Sequence, residues 1–260
     1  MKSRMGVFGA VVLGALLASG CGEPSPAQYA AAKLPGLIKK LKDPDPEARA
    51  RATDEIRALG IPYTKEALPH LFANFDDEHE KARRYAAEAV AFYREDAIPG
   101  VMEALRSASP RRRAMGFVAL GTFPGEIKVK LLNETLPLLS QGLQDENLEV
   151  RRFAAAAVRF HGSLAKDTLP LQIKLLEEEK DKEVLQMILF SLCTMGTDAK
   201  DALPILNRMK TEGINDERLR NLLERAIFFV EGKDKEIEKE WAEEEQRKQQ
   251  QQGSAPPKPE

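Results

Sequence analysis

Apolar positions along the chain fall in short blocks with helical rather than alternating spacing, as in Leu37-Ile38-x-x-Leu41 and Leu138-Leu139-x-x-x-Leu143. Each block is opened by an apolar-Pro dipeptide: Leu34-Pro35, Leu68-Pro69, Ile98-Pro99, Leu136-Pro137, Leu169-Pro170 and Leu203-Pro204. The prolines stand 34, 30, 38, 33 and 34 residues apart, a period of the kind that stacked helical repeats show. Proline is tolerated in a first helical turn, where its missing N–H would have no partner in the helix anyway, so each dipeptide predicts a helix start.

About eight residues after each proline comes an acidic or polar turn, at Asp43, Asp77, Ser107, Asp145 and Glu178. A second helix follows, most legibly at Asp45-Pro46-Glu47, which reads as a cap, a first-turn proline and an anion facing the helix dipole. These second helices are rich in alanine, as in Phe153-Ala154-Ala155-Ala156-Ala157-Val158, and small side chains let neighbouring helices approach. They are expected to end near Gly60, Gly121, Gly162 and Gly196, where glycine can take the left-handed cap. Each unit is then a helix pair that buries its apolar faces only by stacking on its neighbours.

An arginine recurs six residues after the acid, in the pairs Asp43/Arg49, Asp77/Arg83 and Asp145/Arg151, with Glu212/Arg218 read as the sixth. The order Leu-Pro, Asp, Val-Arg, seen in Leu136-Pro137…Asp145…Val150-Arg151, resembles a HEAT repeat, an armadillo-like helical unit. The short period resembles the subgroup named after phycobilisome lyases. The resemblance covers residues 33–232 and implies an all-α, right-handed α-solenoid of about six helix pairs. With helix layers about 10 Å apart, six units give a body roughly 60 Å long. In that family the aspartates and arginines form a hydrogen-bonded ladder along the solenoid, so Asp43, Arg49, Asp77, Arg83, Asp145 and Arg151 are expected to be structural. Ser107 opposite Arg113, and Glu178 with Val184 where arginine is expected, imply two interruptions.

Both ends depart from this pattern. Residues 1–20 carry a positive head, Lys2 and Arg4, then an uncharged run with Val11 to Leu17 at its centre, too short for a comfortable membrane span. It closes on Leu17-Ala18-Ser19-Gly20-Cys21. This resembles a bacterial lipoprotein signal, which implies a lipid such as palmitate on Cys21, although Ala18 stands where that pattern usually has leucine. Gly22 in place of aspartate implies the outer membrane. Residues 21–32 are expected to be a tether, and 233–260 a charged helix and tail in which Ile237 and Trp241 share one face.

Composition narrows the function classes. Lys+Arg 39 against Asp+Glu 41 excludes a strongly basic nucleic-acid binder, so no nucleic acid is expected as partner. His70, His79 and His161 sit in different units without ligand spacing, so neither a metal nor another cofactor is expected; His79-Glu80 is a single pair in an acidic turn. Gly-rich phosphate loops and hydrolase elbows are missing from the sequence. Cys193 lies among apolar neighbours and reads as a buried small hydrophobe. The chain is therefore expected to be a non-enzymatic, lipid-anchored scaffold or adaptor for a protein partner at the cell envelope. The alternative is a binder of an anionic envelope polymer or lipid head group, through Arg84, Arg111, Arg112 and Arg152, which the ladder leaves spare at helix starts.

Overall fold

The computed structural model describes residues 24–234; residues 1–20, expected to be a signal segment, together with Cys21 and the C-terminal positions Ile237 and Trp241, lie outside the described residues. Twelve α-helices among the described residues form six antiparallel pairs. The pairs are α1 (Pro26–Lys40) with α2 (Pro46–Leu59), α3 (Leu68–Ala73) with α4 (Glu80–Ala91), and α5 (Ile98–Leu105) with α6 (Pro110–Thr122). They continue with α7 (Gly125–Leu143) and α8 (Leu148–His161), α9 (Leu169–Glu178) and α10 (Lys182–Met195), and α11 (Leu203–Glu212) and α12 (Glu217–Glu231).

Prolines 69, 99, 170 and 204 sit in the first turns of α3, α5, α9 and α11. Pro35 and Pro137 differ from expectation, because α1 and α7 begin earlier and carry the proline inside. In α1 the cause is a better start: Ser25 and Gln28 form a reciprocal capping box, so the helix takes in most of the expected tether. In α7 the longer spacing before Pro137 supplies the extra residues, and Pro124 gives a sharp entry.

The second helices stack on one another along the whole row, α2 on α4, α6, α8, α10 and α12, while first helices mainly touch their own partners. A row packed more closely on one side bends toward that side, which places the second helices on the inner face. One continuous core runs from Leu34 to Val230. At Gly142 there is no room for a side chain, since an added Cβ would stand 2.3 Å from the Phe117 ring. Gly121 is not a cap: it lies inside α6, facing Ala157 and Phe160 of α8. The left-handed position that Gly60, Gly162 and Gly196 fill after α2, α8 and α10 is taken after α4 by Arg94, at φ 53°.

Counting from the N-cap of each second helix sets the register of the ladder. The caps are Asp45, His79, Ser109, Asn147, Asp181 and Asp216. The acid position lies two residues before the cap: Asp43, Asp77, Ser107, Asp145, Glu179 and Ile214. The arginine position lies four after it: Arg49, Arg83, Arg113, Arg151, Leu185 and Arg220. Two sequence assignments therefore shift. In unit five the residues are Glu179 and Leu185 rather than Glu178 and Val184; Glu178 pairs with Lys174 on the surface. In unit six they are Ile214 and Arg220 rather than Glu212 and Arg218, with Arg220 Nε donating to Ile214 O at 3.2 Å.

Three ladder arginines, Arg49, Arg113 and Arg151, clamp their own turn and reach into the next. Arg49 Nη1 donates to the carbonyls of Asp43 and Pro44, while Nε and Nη2 grip Asp77 at 2.5 and 2.6 Å. Arg113 repeats this with Ser107 O, Ala108 O and Asp145, and Arg151 holds Asp145 O, Glu146 O and, through Nε alone, Glu179. The receiving carboxylate also accepts the N–H of its own cap residue, at 2.9 Å from His79 and Asn147. One side chain thus fixes two loops with charge-assisted bonds.

Arg83 finds no carboxylate in the next turn, because Ser107 stands there and accepts only from Ser109 N. It keeps its bonds to Asp77 O and Glu78 O, extends Nη2 past unit three to Glu149 at 2.6 Å, and leaves a buried Nε without an acceptor. Asp76 compensates at this joint by binding Ser109 Oγ and Arg112 Nη1. Between units five and six the ladder pair becomes Leu185 and Ile214, and both side chains pack on the core.

Removing Arg113 strands a carboxylate that is 12% exposed. Arg113→Ala is expected to cost about 3 kcal/mol in urea unfolding, whereas Arg111→Ala, whose guanidinium reaches only Asp76 O at 3.5 Å, costs about 0.5 or less. The same clamp sets a pH dependence. Burial pushes Asp77, Asp145 and Glu179 up, but the arginine and turn N–H bonds outweigh it and hold all three below the usual range. Such groups stabilise fully above their unfolded values and lose that contribution as pH falls through the folded ones. Melting temperature should therefore drop from about pH 4 downward, and the gap between wild type and Arg113→Ala should narrow over that window. Ser107→Asp offers Arg83 Nε its missing acceptor and is expected to stabilise by about 1 kcal/mol, measured in the same unfolding assay.

Candidate partner-binding face

The inner face is lined by the second-helix positions that the stacking leaves open. Around α4 the residues Glu78, His79, Glu80, Lys81, Arg84, Tyr85 and Glu88 border an open groove of 550 Å³. A second groove of 420 Å³ runs from Glu80 and Arg84 over Arg152 and Phe153 to Glu183 and Met187. A third, of 210 Å³, lies among Arg84, Val118, Thr122, Phe153 and Phe160. All three are open and carry both signs of charge; the second and third have an apolar floor, whereas the first is lined by charged side chains, His79 and Tyr85. Phe92 and Phe160 are 45% and 57% exposed, high values for large apolar side chains.

The four arginines read as spare are placed differently from expectation. Arg152 grips Asp181 with Nε and Nη2 at 3.0 and 2.7 Å and also meets Glu183, so it is a second rung between units four and five. Arg112 is held by Asp76 at 2.8 Å. Arg84 lies 3.8 Å from Glu88 and over the Phe153 ring. Arg111 is exposed, with only its long bond to Asp76 O. The carboxylates that neutralise Arg112 and Arg152 belong to adjacent turns, so a reading confined to one repeat at a time finds no partner for them.

Other arginines carry the inner face, and they stand in the second halves of the helices. Arg57 covers the Phe92 ring at 5.4 Å and pairs with Asp54 at 2.9 Å. Arg159 lies between Phe160 at 5.4 Å and Phe190 at 4.4 Å, and Arg225 covers Phe229 at 5.5 Å. Lys128, buried in α7, donates to Phe160 O at 3.2 Å; burial pushes its ammonium below the usual range. The adjacent Arg159-Phe160 pair and the Arg225…Phe228-Phe229 run are the sequence signals for this row.

Chemical options on the described residues are narrow. No group of three or more His, Cys, Asp or Glu is placed to hold a metal among them, and no helix of theirs is long and apolar enough to cross a membrane. His161 is buried, its Nδ1 2.7 Å from Ala157 O, and burial lowers its pKa. His79 caps α4 by position without a side-chain bond and lines the first groove. Burial pushes the Cys193 thiol up to about 11, which keeps it protonated and unreactive at neutral pH.

The family model for HEAT repeats matches residues 34–121 and 68–158. No curated protein sequence matches the chain. Among solved structures, an engineered protein is similar over 77% of this chain and 97% of its own, at 18% identity and a TM-score of 0.55. A designed armadillo repeat protein in complex with a (KR)4 peptide is similar over 76% of this chain and 99% of its own, at 20% identity and a TM-score of 0.54. The complex of CpcE and CpcF of phycocyanin lyase from Nostoc sp. PCC7120 aligns over 62% of this chain and 98% of its own, at 22% identity and a TM-score of 0.49. At these identities the likeness is one of fold. Residues 34–158 carry HEAT repeats, and the whole described body is an all-α solenoid of the armadillo and HEAT kind.

Proposed function

We propose that this chain is a non-enzymatic scaffold, anchored by a lipid on Cys21 in the bacterial outer membrane, that holds a protein partner along the inner face of its second helices. The observation that carries this reading is the set of open, mixed-charge grooves along the second helices, with Phe92 exposed at one and Phe160 at another. Open grooves of this kind suit an extended macromolecular segment, and exposed aromatic side chains framed by charge are typical anchors for protein partners. The similar designed armadillo repeat protein was solved with a peptide bound, which is in keeping with this use of the fold. Polymer binding through the helix-start arginines is the weaker reading, since Arg112 and Arg152 already hold carboxylates.

A photo-reactive phenylalanine analogue at Phe92 or Phe160 tests this in intact cells. Both positions should yield a protein adduct, whereas Val129, equally exposed but on a first helix, should yield none. Equal labelling at Val129, or adducts of polysaccharide alone, would overturn the reading. Anchoring has its own readout: Cys21→Ala should lose incorporation of labelled palmitate, and retained label would contradict a lipid on Cys21.

A further inference from the structure

We infer that units four to six recognise an acidic, apolar-flanked segment of the protein partner through two aromatic-backed arginines, Arg159 and Arg225. This rests on the scaffold reading and names the chemistry of the segment it holds. On the inner face, Arg57 pairs with Asp54, Arg84 lies near Glu88, and Arg152 holds Asp181 and Glu183. Arg159 and Arg225 alone among these have no carboxylate within 4 Å among the described residues; their recorded contacts are to aromatic rings. Arg159 is on α8 and Arg225 on α12, the two second helices that pack against α10. The two cations therefore flank α10.

A guanidinium whose flat face rests on a ring is held in one plane, partly dehydrated, with its N–H edge turned to an acceptor lying in that plane. Carboxylate is the group that meets such a fork with two parallel bonds. Among the described residues no carboxylate answers this charge excess, and an acidic segment would supply the acceptor. The setting selects a peptide over a bare polyanion. Phe160, Phe190 and Phe229 border the arginines, and Phe160 is 57% exposed, so side chains next to the carboxylates would bury on these rings. Lys128 beneath Phe160 adds positive charge at the same end. Arg159 and Arg225 belong to helices two layers apart, at most about 20 Å, which an extended segment of about six residues covers.

The test is fluorescence anisotropy on the full chain with a labelled octapeptide, Glu-Glu-Phe-Leu-Glu-Glu-Phe-Leu. The same octapeptide with lysine for glutamate, polyphosphate, and phosphatidylglycerol vesicles serve as competing probes. The acidic octapeptide should bind, and Arg159→Gln or Arg225→Gln should each weaken it about tenfold, with Arg111→Gln unchanged. Arg225 is exposed and makes no side-chain hydrogen bond or ion pair among the described residues, so Arg225→Gln keeps the test valid if Arg159→Gln melts early. Failure of the acidic octapeptide to bind, equal binding of the lysine version, or unchanged affinity in Arg225→Gln would overturn the inference, as would tighter binding of polyphosphate or vesicles. Protein adducts at Phe92 together with any of these results would leave the scaffold reading standing and remove this one alone.

Discussion

A half-buried arginine that clamps its own turn and grips the next is the interaction on which the order of this molecule depends. Helix pairs stacked through alanine-rich faces have many near-equivalent ways to slide, because small apolar surfaces discriminate weakly between registers. The fork of Arg49, Arg113 or Arg151 removes that freedom, since its donors are satisfied only when two consecutive turns sit at one distance and angle. Hydrophobic burial supplies the bulk of the stabilisation, and the ladder selects which stacking is stabilised. Losing a partner on one side is costly because the remaining charge stays under the protein surface.

The breaks in the ladder show how local substitutions shape the solenoid. Serine at position 107 keeps the turn but gives up the inter-unit bond, so Arg83 turns to Glu149 and ties unit two to unit four over the top of unit three. At the last joint both ladder positions are apolar, and Leu185 and Ile214 join the core instead. Among the described residues two ion pairs span that joint, Lys182–Asp216 at 2.8 Å and Arg208–Glu177. Replacing a buried ion pair by apolar residues of similar bulk is often neutral for stability, so this joint need not be weak. It lacks the directional constraint of the others, and unit six is the one that presents Arg225 and Phe229 to the inner face.

Much of the architecture was legible because proline, aspartate and arginine each have one strong positional reason to recur. Helix pairing, the Ala-rich inner layer and the arginines at 49, 83 and 151 all follow from such residues. The ladder register in units five and six was not legible. There the acid position holds Glu179 beside Glu178, or an isoleucine, and only the cap position tells the neighbours apart. Pro35 and Pro137 misled because a proline marks a permitted start and not a required one. The spare arginines misled for a different reason: their carboxylates lie about one repeat away in sequence, and a face-by-face count within one unit cannot see them. Arg159 lies in the last turn of α8, where a basic residue is unremarkable in a linear reading, and Arg225 lies mid-helix beside Glu224.

The inter-unit bond, and not the bulk of the arginine side chain, fixes the stacking. A double-mutant cycle on Arg113→Ala and Asp145→Ala, read by urea unfolding, isolates it. A coupling of about 2–3 kcal/mol is expected, with the double variant much less destabilised than the sum of the two singles. Additive losses would contradict it, and would leave the solenoid held by apolar packing alone.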